Sequence, residues 1–335
     1  MTILVTGAAG FIGFHVAQAL ISEGRTVIGI DNLNAYYDIS LKNARLDRLK
    51  TSAHFSFLTV DIADQTAVEN LFKSYKISKV IHLAAQPGVR YSLENPHYYI
   101  QANLVGFFHI IEACRQHKIE HLIYASSSSV YGANTQQPFS ENTNTDHPMS
   151  LYAATKKSNE LMAHSYASLY QLPCTGLRFF TVYGPWGRPD MALSLFTYAI
   201  LKNQPIDLYN HGKMLRDFTY IDDAVNAILL SVNHPAKPDP NWSGQNPQSA
   251  SSYAPYRIYN VGNNKPVNLM QYIAAIELAT GKKALINNLP AQAGDLLETA
   301  ADISAIQNEL GYVPNIDIHT GVQNFVDWYR AYYAL

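Results

Sequence analysis

Over the first 180 positions, short apolar runs rich in β-branched side chains alternate with stretches whose apolar residues recur every three or four positions. The runs predict strands at 3–6, 26–31, 55–60, 79–83, 121–126 and 175–180, and the periodic stretches predict helices at 14–23, 66–75, 100–116 and 152–170. That alternation predicts an α/β fold, a Rossmann-type doubly wound parallel sheet with crossover helices on its faces. Beyond 180 the pattern turns irregular, with Gly and Pro clusters near 184–189 and a helix at 192–201, as expected of a smaller C-terminal α/β substrate lobe. The domain expectation is therefore residues 1–180 for the first lobe, with about 215–233 and 256–262 returning to it, and 181–335 for the second. The stretch 236–255 is rich in Pro, Asn, Ser and Gln and reads as a mobile surface loop.

Composition narrows the function classes. The 335 residues carry a net charge of -2 and 15% charged residues, so no basic excess suits a nucleic-acid backbone. No apolar run is long enough to span a bilayer, and Met1 leads straight into the first apolar run without a basic leader. Cys114 and Cys174 lie far apart and form no CxxC, which points to neither a disulfide framework nor a metal site. A cytoplasmic protein without nucleic-acid or membrane partners is the expectation.

The first candidate chemistry is Gly7-Ala8-Ala9-Gly10-Phe11-Ile12-Gly13, between a strand and a helix. Gly7 and Gly10 let backbone approach a pyrophosphate at the helix N-terminus, and Gly13 permits close helix-to-strand packing. Asp31 closes the next strand, where a carboxylate accepts both ribose hydroxyls and repels a 2′-phosphate, favouring NAD. A merely structural glycine turn is the plainer alternative. Tyr152 and Lys156, four apart, share one helix face, and a nearby positive charge favours the phenolate of a general base. The run Ser126-Ser127-Ser128-Ser129 follows an apolar strand and falls at the sheet edge where such folds bind ligands; serine runs also simply bond to their own backbone.

Together Thr6-Gly7-Ala8-Ala9-Gly10-Phe11-Ile12-Gly13 and Tyr152-Ala153-Ala154-Thr155-Lys156 resemble the extended short-chain dehydrogenase/reductase family, and further matches run along nearly the whole chain. The resemblance implies tightly bound NAD, held by Gly7, Gly10, Phe11, Ile12, Gly13, Asp31 and Asn32 on one side. Asp61, Ile62, Leu83, Ala84, Ala85 and Asn103 would hold it on the other, with Tyr152 and Lys156 at the reacting end. It implies a catalytic trio of Tyr152, Lys156 and Ser127. Sugar-nucleotide dehydratases and uronate decarboxylases of the family carry acids at the positions of Ser128 and Ser129, so hydride removal and return is the chemistry left.

On the substrate side the resemblance assigns Arg216 to a diphosphate, Asp295 to the uridine ribose, Tyr209 to the uracil face and Arg90 to the substrate. Gln292 departs from the second arginine of UDP-galactose epimerases. The stretches around 31–42, 86–92, 179–185 and 187–192 are similar to UDP-glucuronate 4-epimerases, with Thr181 in place of an Asn. A C5 carboxylate wants hydroxyl donors and a guanidinium, which Ser128, Ser129, Thr181 and Arg188 could supply; a solvated loop charge or a phosphate contact is the other reading of Arg188. The expected reaction is reversible C4 epimerisation of UDP-glucuronate to UDP-galacturonate through a 4-keto intermediate. The alternatives are a UDP-glucose or UDP-N-acetylglucosamine 4-epimerase and a non-catalytic NAD sensor. By the same resemblance, the protein is a homodimer.

Overall fold

The computed structural model describes residues 1–290 and 298–335. Six parallel strands occupy the first half: β1 (Thr2–Thr6), β2 (Thr26–Asp31), β3 (Phe55–Thr59), β4 (Lys79–His82), β5 (His121–Ser127) and β6 (Cys174–Phe179). A seventh strand, Tyr256–Val261, comes back from late in the chain and pairs in parallel with β6. From that edge the order runs β6, β5, β4, β1, β2, β3. The winding reverses between β1 and β4, which makes the crevice above their carboxyl ends the natural ligand seat.

Each strand serves two faces. Ile3 and Val5 of β1 enter one buried cluster and Leu4 the other, as the period of two requires. Helix α1 (Phe11–Ser22) packs with Ile221–Asn233 on the first face, while α2 (Ile39–Lys50) lies beside α1. Helix α3 (Gln65–Ser74), Gly106–Gln116 and Leu151–Tyr170 cover the second. The remaining lobe stacks Ala192–Leu201, Leu269–Thr280 and Ile318–Tyr333 around the paired strands Pro205–Tyr209 and Leu285–Leu289.

The differences from expectation have local causes. Helix α1 starts at Phe11, because the amide of Gly10 donates to the Gly7 carbonyl at 2.9 Å and the turn passes directly into the helix. The expected helix at 100–116 is a wide π-type turn over Ile100–Val105 followed by α-helix from Gly106. The widening falls where the Asn103 side chain leaves the helix to hold Gln86 and Thr155. Helix α2 has no sequence-based counterpart: its apolar Leu41, Leu46 and Leu49 alternate with Lys42 and Arg45, which are buried too. Buried cations conceal the apolar stripe on which periodicity depends. The 236–255 stretch does not float free. Ser251 Oγ donates to Asp239, Trp242 donates to the Gln248 carbonyl, and the Ala250 carbonyl takes the amide of Ile258 on the edge strand. It covers the edge of the sheet, which would otherwise present unpaired backbone groups.

Candidate active site

A cavity of about 460 Å³ runs along the carboxyl ends of the strands, from β3 across the β1/β4 switch to β5 and β6. The glycine turn forms its floor. Gly7 has φ +68, and a Cβ there would lie 2.9 Å from the backbone nitrogen of Ala84. Gly10 caps α1 with no side-chain acceptor, so the first amides of the helix face the cavity ready for an anion. Thr6 Oγ1 accepts the amides of Leu83 and Ala84 at 3.1 and 3.0 Å, which fixes the opposite wall. Below it the Thr6 hydroxyl also meets His82 Nδ1 at 2.9 Å. Burial, helped by the Lys156 charge, drops that imidazole to about 3, so it stays neutral.

At the far end, Asp31 accepts the amide of Leu33 at 2.8 Å and lies 3.6 Å from Lys42 Nζ. Asp61 accepts from Asn32 and from the Ala63 amide. Two carboxylates and an amide thus ring the mouth above β2 and β3, an acceptor set suited to ribose and adenine hydroxyl and amino groups. The uncapped helix, the cradle at Gly7 and this acceptor ring fit a dinucleotide. Lys42, together with Asn34, Tyr36 and Tyr37, also lines the cavity. In the sequence their stretch stands out only by resemblance; the one physical signal is a basic residue set among apolar ones eleven positions after Asp31.

The reacting end rests on helix Leu151–Tyr170, whose first turn is capped by Ser150 accepting the Ala153 amide at 3.1 Å. Tyr152 and Lys156 both reach the cavity. Burial raises the Tyr152 phenol above its usual value, while the Ser127 hydroxyl and the Arg188 charge draw it back. The expected pull by Lys156 is absent from that balance: its ammonium donates to the Ala125 carbonyl at 2.9 Å. Burial alone brings Lys156 down to about 8.

That depression is a stability cost on the order of 3 kcal/mol, since each pKa unit is about 1.4 kcal/mol. The cost is fully present below about pH 8, the folded value, and fades as pH rises toward the ordinary lysine value of 10.5. Lys156→Met is expected to raise the urea midpoint of the NAD-free protein at pH 7, less about 1 kcal/mol for the partner lost by the Ala125 carbonyl. The advantage should shrink above pH 8. A midpoint unchanged or lower at pH 7 would refute the assignment.

Strand β5 ends at Ser127 and passes into a tight turn over Ser128–Tyr131. Ser127 Oγ accepts the Ser129 amide at 3.2 Å, so part of this serine run does bond to its own backbone. Ser126 is committed elsewhere, donating at 2.7 Å to the buried Glu160, which holds Arg178 at 2.8 and 2.9 Å. Ser127, Ser128, Ser129, Thr181 and Arg188 all line the cavity.

Four further expected residues do not line the cavity. Asn103 is 1% exposed and does not line the cavity. Its carboxamide accepts the Gln86 amide at 2.8 Å and donates to the Gln86 carbonyl and Thr155. It is a strut under the cofactor wall, because a buried amide satisfies its bonds with the nearest backbone. Arg90, Tyr209 and Arg216 are also outside the lining; the Arg90 guanidinium lies over the Tyr209 ring at 5.2 Å. Arg216 donates to the Leu215 carbonyl on a short strand paired with Val267–Asn268. Asp295, with Gln292, lies outside the described residues.

Residues 3–262 match the family described as NAD dependent epimerase/dehydratase. Protein CapI of Staphylococcus aureus is 55% identical over 99% of both chains. A probable UDP-glucuronate 4-epimerase of Rhizobium meliloti is 48% identical, over 99% of this chain and 98% of that one. Among solved structures, UDP-glucuronic acid 4-epimerase from Bacillus cereus in complex with UDP-glucuronic acid and NAD superposes with a TM-score of 0.88. It is 33% identical, covering 99% of this chain and 100% of that one.

Proposed function

Because the chain belongs to the NAD dependent epimerase/dehydratase family, we propose that it interconverts UDP-glucuronate and UDP-galacturonate at C4. The observation that carries this reading is the union in one cavity of the glycine turn, the Ser127–Tyr152 pair and a second set of anion-binding groups, Ser128, Ser129, Thr181 and Arg188. NAD, when bound, supplies the acceptor for the C4 hydride and returns it in the same turnover. Tyr152 takes the C4 hydroxyl proton and later gives one back, with the Ser127 hydroxyl beside it drawing the phenol's pKa down. Lys156, anchored on Ala125, keeps a positive charge near the reacting end below about pH 8.

The 4-keto uronate is a β-keto acid, which loses CO2 when its carboxylate turns into line with the keto π-system. Hydroxyls from Ser128, Ser129 and Thr181 and the guanidinium of Arg188 hold that group. Neutral UDP-sugars offer no C5 carboxylate to Arg188 and the surrounding hydroxyls, which disfavours a UDP-glucose epimerase, and a sensor has no use for a buried base. Incubation with UDP-glucuronate and no added NAD is expected to yield UDP-galacturonate; no product from it, with turnover of UDP-glucose, would reject the reading. Arg188→Ala should release UDP-pentose or lose its preference for the uronate, and unchanged products with unchanged preference would dismiss that role.

Residues 1–180, with 215–233 and 256–262, form the NAD-binding lobe in this reading, supported by the edge strand Tyr256–Val261 on β6 and by Ile221–Asn233 against α1. The remainder binds the UDP-sugar, with Asp295 and Arg216 in the contacts the resemblance implies. A cytoplasmic homodimer completes it, supported by exposed Phe108, Leu161 and Leu169 on helices Gly106–Gln116 and Leu151–Tyr170. Leu161→Glu is expected to shift sedimentation from dimer to monomer; a wild-type monomer would exclude the assembly.

A further inference from the structure

The arginine that faces the reacting phenol is not held by its own backbone alone. Asp190, two residues on, takes Arg188 in a two-point contact, with Nε donating to Oδ1 at 2.9 Å and Nη2 to Oδ2 at 2.6 Å. Tyr36, from the segment after β2, donates its hydroxyl to the same Oδ2 at 3.1 Å, and its ring lies 6.0 Å from the guanidinium. The loop beneath is tied as well: Ser194 donates to the Arg188 carbonyl, and the buried Arg45 donates to the Trp186 carbonyl at 2.6 Å. Pro189 between the pair restricts the backbone further.

A guanidinium has two forks, and their uses differ. Asp190 occupies the side fork, Nε with Nη2. The end fork, Nη1 with Nη2, is the other edge on which a planar carboxylate can dock with two parallel bonds. We propose that Asp190, capped by Tyr36, is a positioning residue that fixes Arg188 by its side fork so that the end fork is presented to the substrate carboxylate. This rests on the uronate reading above. Burial would raise the Asp190 carboxyl, but the hydrogen bond and charge of Arg188 hold it ionised, while burial and Asp190 push the Tyr36 phenol to about 12 and keep it a donor.

The consequence is control of orientation more than of charge. Asp190 cancels the net charge of Arg188, so attraction for the uronate is tempered, but the guanidinium plane cannot swing. An arginine free to rotate would let the carboxylate of the 4-keto sugar turn into the π-system. The C5–carboxylate bond then breaks, CO2 leaves, its electron pair enters the enolate of the 4-keto group, and C5 takes up a proton, leaving a UDP-4-keto-pentose that becomes UDP-pentose when the hydride removed from C4 is returned. Asp190 thereby sets the partition between epimer and pentose without touching substrate.

The test is a cycle of Asp190→Asn, Arg188→Ala and the double variant, reading product ratio and KM on UDP-glucuronate, with retained NAD as the check on folding. Asp190→Asn is expected to raise the UDP-pentose to UDP-galacturonate ratio by about tenfold, a tenfold change being the loss of one aligned charge-assisted bond, while KM does not rise because Arg188 regains its net charge. The effect should vanish in the Arg188→Ala background. Tyr36→Phe, which removes only the capping hydroxyl, should shift the ratio in the same direction by less and covers the case in which Asp190→Asn does not fold. A wild-type ratio in both Asp190→Asn and Tyr36→Phe overturns the proposal, as does an equal shift with and without Arg188. Failure of the wild type to convert UDP-glucuronate overturns the epimerase reading instead, and this proposal with it.

Discussion

Tyr152→Phe is expected to lower the rate of epimerisation by about a thousandfold, within the range of about 10² to 10⁴ that a positioned acid–base group contributes. The substitution removes one oxygen. Its ring keeps the edge-on contact with Tyr99, whose centroid is 6.1 Å away, so folding and cofactor retention should survive. The chemistry should not, because the remaining groups are poor bases for a sugar hydroxyl. Ser127 is a neutral hydroxyl. The Lys156 ammonium is a charged donor below about pH 8 and is already engaged with the Ala125 carbonyl. Equal turnover by Tyr152→Phe and wild type, measured on UDP-glucuronate with equal NAD content, would remove Tyr152 from the reaction.

Gly13→Ala should abolish activity by another route. Gly13 lies on the first turn of α1, and a Cβ there would run into the carbonyl oxygen of Gly7, with the Gly7 carbonyl carbon at 2.8 Å and Ala8 Cα at 3.1 Å. All three neighbours are backbone, so no side chain can swing aside. The Gly7 carbonyl is further committed to the Gly10 amide at 2.9 Å. Accommodating one methyl means moving α1 away from the turn, at about 1 to 3 kcal/mol, and spreading the amides that face the cavity. The purified variant is expected to contain little or no NAD, with a lowered melting temperature. Full NAD occupancy with wild-type melting would show that the turn is looser than its contacts imply.

Much of this site is legible in the amino-acid sequence. The turn at Gly7–Gly13, the carboxylate of Asp31 and the pair Tyr152 and Lys156 are local features: a strand, a turn and a helix within a few residues set their geometry. The cavity brings those residues together as the alternation of elements requires. The bonds of Asn103 to Gln86 and Thr155 are not legible, because a buried amide behind the cavity wall and one facing the cavity have the same sequence signature. Helix α2 escapes the periodicity because Lys42 and Arg45 break its apolar stripe, and only the folded chain shows what they meet: Arg45 donates to Ala9 and Trp186, and Lys42 faces Asp31.

The amino-acid pattern alone reports the alternation of the six early strands with most of their crossover helices, the doubly wound topology and the shared helix face of Tyr152 and Lys156, because backbone periodicity is a short-range property that side-chain pattern reports directly. Only the tertiary structure decided the partners of the charged groups. Tyr36 finds Asp190 across 154 residues, and Arg178 finds Glu160 beneath Ser126. A charge taken from water must be met by whatever group the fold brings near, and sequence spacing carries no record of which group that is.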